Sequence, residues 1–344
     1  MAADMKAWQL SGPGEVQDKL KLNTVARPAP ASLGAHDILV RVVSAAINPA
    51  DYKVPAMGIG ARAILPFPKT PGMDLSGEVV LTGSDVTDVT AGDHIMARTS
   101  PLKRPGALSE YLIVPHDDYA KLSPGVDLDA AAAIGTAGLT AYQTIKPYVK
   151  PGDKVFINGG SGGVGTFGIQ IAKLLGCHVT VSCSTAKVQH CRSLGADQVI
   201  DYKTTSVVDE LRGGGEGKFS LIADNVGYDP VNLYSRAGHA LLPGGVFVAV
   251  AAGKHMGHAA LALANLVRPS FLGGGTNKMV LYLTSSNRDD WHALAAWLNE
   301  GKLTSVIERT FALEDALEAF ALLQKGSTAG KIVIHVSGKQ SPNT

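Results

Sequence analysis

The chain has 344 residues, enough for two domains that each bury a core. It carries 31 lysines and arginines against 30 aspartates and glutamates, with no basic tract or aromatic-interleaved patch, which argues against nucleic acid as a partner. Apolar stretches are broken by glycine, proline or charge before membrane-spanning length, and Asp4 and Lys6 stand where a signal peptide would have its apolar region; a soluble cytoplasmic protein without a membrane partner is expected.

Residues 1 to about 125 read as mostly β. Short runs such as Ile38–Val43, Gly77–Leu81 and Tyr111–Val114 are separated by Gly, Pro and Asp turns, Gly92-Asp93 among them. A barrel-like β domain is expected there. Asp127 to Thr144 is alanine-rich and reads as a helix, with Asp127 or Asp129 as its cap.

Strand and helix signals then alternate. Lys154–Asn158 reads as a buried strand and is followed at once by Gly159-Gly160-Ser161-Gly162-Gly163-Val164-Gly165. A helical pattern runs from Val164 to Leu175, Gly176 stops it, and His178–Val181 is the next strand. Further strands are expected at Gln198–Ile200, Phe219–Ala223, Gly245–Val250 and Met279–Leu283, with helices at Val231–Gly238 and Ala259–Val267. This alternation implies right-handed βαβ units and a parallel sheet. Asp289–Asn299 is an amphipathic helix with Trp291, Leu294 and Leu298 on one face. Glu314–Gln324 is another, and Lys331–Val336 is a closing strand that returns to the first domain.

Gly160, Gly162 and Gly165 match the G-x-G-x-x-G spacing of a dinucleotide fold and lie between a strand and a helix, the context that gives the motif weight. The helix N-terminus offers N–H groups and the positive end of a dipole to a pyrophosphate. An NAD site would place Asp or Glu at the end of the second strand. This chain has Ser182-Cys183-Ser184-Thr185-Ala186-Lys187, and no carboxylate until Asp197. Ser184, Lys187 and, after the next strand, Tyr202 suit a 2′-phosphate and favour NADPH, against the plainer reading of a solvated turn. Cys177, Cys183 and Cys191 form no C-x-x-C pair and no disulfide framework, which fits a reducing compartment. His255 and His258 are spaced three apart without an evident third ligand; a loop or surface role is expected of them.

Several stretches in this order carry a family resemblance over nearly the whole chain: Ile47-Asn48-Pro49-Ala50-Asp51-Tyr52-Lys53, Pro71–Val80, Ala91-Gly92-Asp93, Gly106–Tyr111, Gly138–Tyr142, the glycine turn, Leu194–Tyr202 and Ala329–Ile334. The chain resembles the medium-chain dehydrogenases/reductases, in their zinc-free quinone oxidoreductase and enoyl reductase branch. The resemblance implies an α/β protein with a GroES-like β-barrel catalytic domain (1–128 and 286–344) and a Rossmann domain with a doubly wound parallel sheet (129–285). It implies that Asn48, Tyr52 and Lys53 lie near the substrate, with Lys53 as the best candidate donor to the developing enolate or hydroquinone anion. On the cofactor side it adds Thr140, Ser161, Gly163, Val164, Asn225, Gly253 and Lys331. It also implies a homodimer joined at the edge of the cofactor sheet, with Met279–Leu283 available for it.

The zinc alcohol dehydrogenases of the superfamily carry Cys where this chain has Asn48 and Gly-His-Glu where it has Gly72-Met73-Asp74, and residues 1 to 176 contain no cysteine. No zinc is expected. Without a Lewis acid a quinone or an α,β-unsaturated carbonyl is the more forgiving acceptor, because conjugation already makes it a good hydride acceptor. The expected activity is NADPH-dependent hydride transfer to a quinone or to the C=C bond of an α,β-unsaturated carbonyl. The alternatives are a stand-alone enoyl reductase of a polyketide-type pathway and a non-catalytic NADPH-binding protein. Leu266–Lys278, with its Gly273-Gly274-Gly275, is expected to be a loop near the substrate mouth.

Overall fold

A computed structural model of the chain describes residues 4–102, 105–213, 217–227, 232–250 and 277–337. The chain divides into two compact units, Met1–Leu139 with Ser286–Thr344, and Thr140–Ser285.

The first unit begins with an antiparallel ribbon of β1 (Asp4–Leu10) and β2 (Leu20–Ala26). β3 (Asp37–Ile47) is the spine of the following sheet: it pairs antiparallel with both β4 (Asp74–Thr82) and β6 (Tyr111–Pro115). β4 pairs with β5 (His94–Arg98), and β5 with β7 (Tyr119–Lys121). The short antiparallel strands bury Ile38, Val40, Val42, Leu75, Val79 and Ile95 completely or nearly so, the pattern of a sheet wrapped around one core.

The alanine-rich helix Leu128–Ile145 is capped by Asp127, whose Oδ1 accepts from Asp129 N at 2.9 Å. It is not continuous. Gly135 has φ −10° and ψ −111°, outside the helical region. A Cβ there would lie 2.3 Å from Asp74 Cγ, and Asp74 Oδ1 takes the N–H of Thr136 at 2.7 Å. A buried carboxylate takes the N–H that follows the break, and the break falls on a glycine, a poor helix former. The division between the two units falls at 139/140, within the second half of this helix.

The second unit holds six parallel strands: β8 (Lys154–Asn158), β9 (His178–Cys183), β10 (Gln198–Asp201), β11 (Phe219–Asp224), β12 (Leu241–Ala249) and β13 (Lys278–Leu281). Their order is β10-β9-β8-β11-β12-β13, with the chain winding outward on both sides of β8. Alternate residues serve the two faces, as the pleat requires. Val155, Ile157, Val179, Val181 and Val248 pack on one side with the Gly163–Leu174 helix. Phe156, Ile222 and Phe247 pack on the other with Val207, Leu211 and Tyr234. The Val231–Gly238 expectation is met by a helix over Leu233–Ala237. The expected Ala259–Val267 helix and the glycine run at 273–275 lie outside the described residues.

The chain then returns to the first unit. The helix Arg288–Asn299, capped by Asn287 through Asp290 N at 3.1 Å, buries Trp291, Leu294 and Leu298 on one face. β14 (Ile307–Ala312) and β15 (Lys331–His335) complete a sheet of order β14-β15-β3-β4-β5-β7, with β6 also on β3. Among the described residues no helix is long and apolar enough to cross a membrane.

Candidate functional site

In the second unit the glycine turn stands at the carboxyl end of β8. Its glycines have separate physical reasons. A Cβ on Gly160 would lie 2.7 Å from Val181 Cβ, and one on Gly165 would lie 2.2 Å from Gly159 O. Both positions are closed to any side chain by the packing of turn, strand and helix. A Cβ on Gly162 would meet nothing nearer than Gly159 O at 3.6 Å, so the space above it is open. The helix begins at Gly163, and its first turn leaves the N–H groups of Gly163, Val164 and Gly165 without intrahelical partners. Open space above Gly162 and unpaired donors facing it fit a pyrophosphate. Ser161, half-buried in the turn, adds a hydroxyl beside them.

Three buried polar residues hold this turn, and none was singled out in the sequence. Ser182 Oγ donates to Asn158 Oδ1 at 2.5 Å and accepts from Gly159 N at 3.0 Å. Asn158 Nδ2 donates to Asp224 Oδ1 at 2.9 Å, and that oxygen also takes the N–H groups of Val226 and Gly227, each at 3.0 Å. They come from the ends of three adjacent strands, β9, β8 and β11, so only the sheet order unites them. Burial pushes the Asp224 carboxyl up from its ordinary value, against the hydrogen bonds that favour its charged form. Asn225 follows. Its Oδ1 is enclosed and has no hydrogen-bond partner among the described residues, an acceptor that a ligand donor would satisfy.

The residues expected at a 2′-phosphate do meet. Lys187 N donates to Ser184 O at 2.8 Å and Tyr202 N to Cys183 O at 3.1 Å, which gathers Ser184, Lys187 and Tyr202 around the end of β9. Sheet pairing also sets Asp201 beside Cys183. A hydrogen bond from the Thr185 hydroxyl holds that carboxyl below its ordinary range, helped by Lys203 N. The sequence count of carboxylates along the strand missed Asp201, because it arrives from the neighbouring strand. Thr140 is buried and its hydroxyl hydrogen-bonds that of Thr284. Gly253 lies outside the described residues. The thiols of Cys177, Cys183 and Cys191 are all free and buried.

In the first unit a charged cluster is buried around Asn48. Asp74 lies one strand from Ala46 and one from Arg98 in register, on β4 between β3 and β5. Asn48 Nδ2 donates to Asp74 Oδ2 at 2.8 Å, and Asn48 Oδ1 accepts from Lys331 Nζ at 2.5 Å. The same ammonium donates to Asp74 Oδ2 at 3.1 Å and to Ile47 O at 3.3 Å. Lys331, expected among the cofactor contacts, is thus 4% exposed and fully engaged inside the first unit. Asp74 Oδ1 takes both the N–H and the hydroxyl of Thr136, and Thr136 Oγ1 accepts from Arg98 Nε at 2.9 Å. Asp51, in the Pro49–Lys53 helix, accepts from Asn48 N at 2.8 Å and Gly72 N at 3.0 Å. Burial pushes its carboxyl up to about 6, and Asp74 nearby adds to the rise. Tyr52 is half-buried and Lys53 is exposed on the same short helix.

This donor set does not fit a zinc ion. Asn48 and Met73 stand where the zinc enzymes have Cys and His, and the Lys331 ammonium already lies against Asn48 and Asp74, where it would repel a divalent cation. Among the described residues no group of three or more His, Cys, Asp or Glu is placed to hold a metal. A surface groove of about 820 Å³ in the first unit, lined by Arg41, Arg309, Glu314 and His335 among others, includes none of the expected site residues.

Comparisons with known proteins agree with this architecture. A family model described as an alcohol dehydrogenase GroES-like domain matches residues 34–124, and one described as a zinc-binding dehydrogenase matches residues 194–334. A trans-enoyl reductase of Aspergillus terreus is 41% identical over 348 residues, 96% of each chain. A chloroplastic quinone-oxidoreductase homolog of Spinacia oleracea is 30% identical, over 96% of this chain and 98% of that protein. The solved structure of the quinone oxidoreductase from Coxiella burnetii superposes with a TM-score of 0.82 at 30% identity, over 97% of this chain and all of that one.

Proposed function

The chain belongs to the medium-chain dehydrogenase/reductase superfamily and is an oxidoreductase with a nicotinamide cofactor; on that footing we propose that it is a zinc-independent, NADPH-dependent reductase of conjugated acceptors, either quinones or the C=C bond of an α,β-unsaturated carbonyl. One observation supports this reading most: a protein ammonium, Lys331, lies against Asn48 and Asp74, two of the positions at which the resemblance sets the metal ligands of the zinc enzymes. A saturated carbonyl needs strong polarisation to accept hydride. A conjugated acceptor delocalises the incoming electron pair and needs only hydrogen-bond donors.

The bound cofactor supplies the hydride, and the remaining work falls to residues of this chain. Gly160 to Gly165, with Ser161, would hold the pyrophosphate; Ser184, Lys187 and Tyr202 would receive the 2′-phosphate; Thr140 and Asn225 would line the nicotinamide half. Asn48, locked by Lys331 and Asp74, orients the acceptor. Tyr52 and Lys53 flank it, with Lys53 donating to the oxygen on which negative charge collects, and solvent protonates the product carbon. A second reading, a stand-alone enoyl reductase acting on a carrier-delivered polyketide chain, is favoured by the 41% identity to the Aspergillus enzyme over 96% of both proteins.

The test is nicotinamide oxidation with NADPH and NADH, against an ortho-quinone, a 2-alkenal, a 2-alkenone, a saturated aldehyde and an enoyl thioester on an acyl-carrier arm. Rapid NADPH use with free conjugated acceptors supports the leading reading. Turnover of the carrier thioester alone selects the second. Turnover of the saturated aldehyde, or stoichiometric zinc by elemental analysis, overturns both. We further propose a cytoplasmic homodimer paired through β13, the outer strand of the cofactor sheet, which mass measurement in solution would check.

A further inference from the structure

Arg98 ends β5 directly beside Asp74 and is the only arginine buried among the described residues, 7% exposed. Its Nε is fixed on Thr136 Oγ1 at 2.9 Å, and Thr136 is itself held at both N–H and hydroxyl by Asp74. The only other partner among the described residues is Met73 Sδ, 4.0 Å from Nη2, a weak acceptor. The remaining Nη N–H groups have no partner among the described residues and are not among the fully enclosed unpartnered atoms. Asp74, the carboxylate at hand, is fully spent on Thr136, Asn48 and Lys331. The arginines that do form ion pairs among the described residues, Arg41 and Arg288, are more exposed and have Glu78 and Asp88. A buried charge without a counter-ion is costly. A rigidly anchored guanidinium whose outer edge has no acceptor among the described residues is the donor fork that takes a carboxylate or phosphate in two parallel hydrogen bonds.

We propose that the outer edge of Arg98 binds an anionic oxygen group on the acceptor molecule, so that Arg98 sets substrate specificity and Thr136 and Asp74 position it. The inference rests on the reductase reading for the word acceptor, and on the local geometry for the site. Two sources share the chemistry: a carboxylate on the acceptor itself, or a phosphate on a carrier arm that delivers it.

The test uses the full chain and three short enones differing only in a terminal group: a carboxylate, its methyl ester and a phosphate monoester. Steady-state KM and kcat are measured for each. Calorimetric binding of the three saturated counterparts is measured without cofactor. The expected result is a preference for an anionic member over the ester of roughly 10- to 100-fold, carried by KM and by Kd. Arg98→Met should collapse that ratio, and Arg98→Lys, which keeps charge but loses the planar fork, should retain part of it. Thr136→Val should lower the ratio several-fold with Arg98 intact. The better anionic member names the source. Equal binding of ester and anions to the unaltered protein overturns the proposal, even if every variant fails to fold. An anion preference that survives Arg98→Met also overturns it. Reduction of all three enones at equal KM leaves the reductase reading standing and removes the site. Arg98-dependent binding of the saturated anions with no reduction of any enone does the reverse.

Discussion

Lys331 Nζ lies 3.1 Å from Asp74 Oδ2, with side-chain exposures of 4% and 0%. The pair joins β15, the last strand of the chain, to β4, two strands away in the same sheet, and Asn48 is hydrogen-bonded to both. Removing one member of a buried pair leaves the other uncompensated, which costs about 3–5 kcal/mol. Lys331→Met is expected to lose that much stability in denaturant unfolding, and Asp74→Asn a comparable amount. The double variant should be more stable than the sum of the two losses predicts. Additive losses would show that the charges are compensated elsewhere.

The glycine turn separates folding from binding within four residues. Gly165→Ala forces a Cβ to 2.2 Å from Gly159 O and should destabilise the fold by about 1–3 kcal/mol. Gly162 has φ −78°, a value alanine adopts, and open space above it. Gly162→Ala should therefore unfold within a few degrees of the parent while binding of nicotinamide cofactor weakens by roughly tenfold or more. Thermal unfolding with and without cofactor distinguishes the two. Equal cofactor affinity in parent and Gly162→Ala would place the pyrophosphate elsewhere.

Cofactor choice sets Ser184, Lys187 and Tyr202 against Asp201. Lys187→Ala combined with Ser184→Ala should lower the NADPH-to-NADH ratio in kcat/KM by roughly ten- to a hundredfold, through NADPH. Asp201→Asn removes the one nearby carboxylate and should shift the ratio further towards NADPH by a few-fold. A parent that prefers NADH would show that Asp201, rather than the hydroxyls and the ammonium, governs the ribose.

Asp51 gives the first unit a pH dependence of known sign. Burial pushes its folded pKa up to about 6, above the ordinary 3.8. Below about pH 4 folded and unfolded chains both hold the proton. Between about 4 and 6 the unfolded chain has released it while the folded chain retains it, so this group lowers stability as pH rises across that window and is constant above it. The loss is on the order of 3 kcal/mol. Asp51→Asn should abolish that slope, at the constant cost of one acceptor, since Asn48 N and Gly72 N each use a carboxylate oxygen. Unfolding free energies of both proteins from pH 4 to 7 check it. Parallel curves would mean that Asp51 titrates normally.

The sequence by itself determined the elements whose cause is local. The Lys154–Asn158 strand, the glycine turn and the Gly163–Leu174 helix were legible because apolar runs, glycine spacing and helical periodicity act over a few residues. So was the buried face of Trp291, Leu294 and Leu298. The apolar run Lys331–His335 marked the closing strand, which returns to the first domain as expected and pairs there with β3. Tertiary structure alone decided the polar interior. Asp74 opens an alanine-rich helix at Gly135, because sheet register brings its carboxylate to Gly135 and Thr136. Lys331 is separated from Asn48 and Asp74 by more than two hundred and fifty residues, and nothing in a strand of isoleucine and valine marks its lysine as the inward one. Asn158, Ser182 and Asp224, and likewise Asp201 beside Cys183, meet only through the order β10-β9-β8-β11. Hydrophobic pattern is a one-dimensional signal; the pairing of buried charges depends on which strands become neighbours, and only the folded sheet specifies that.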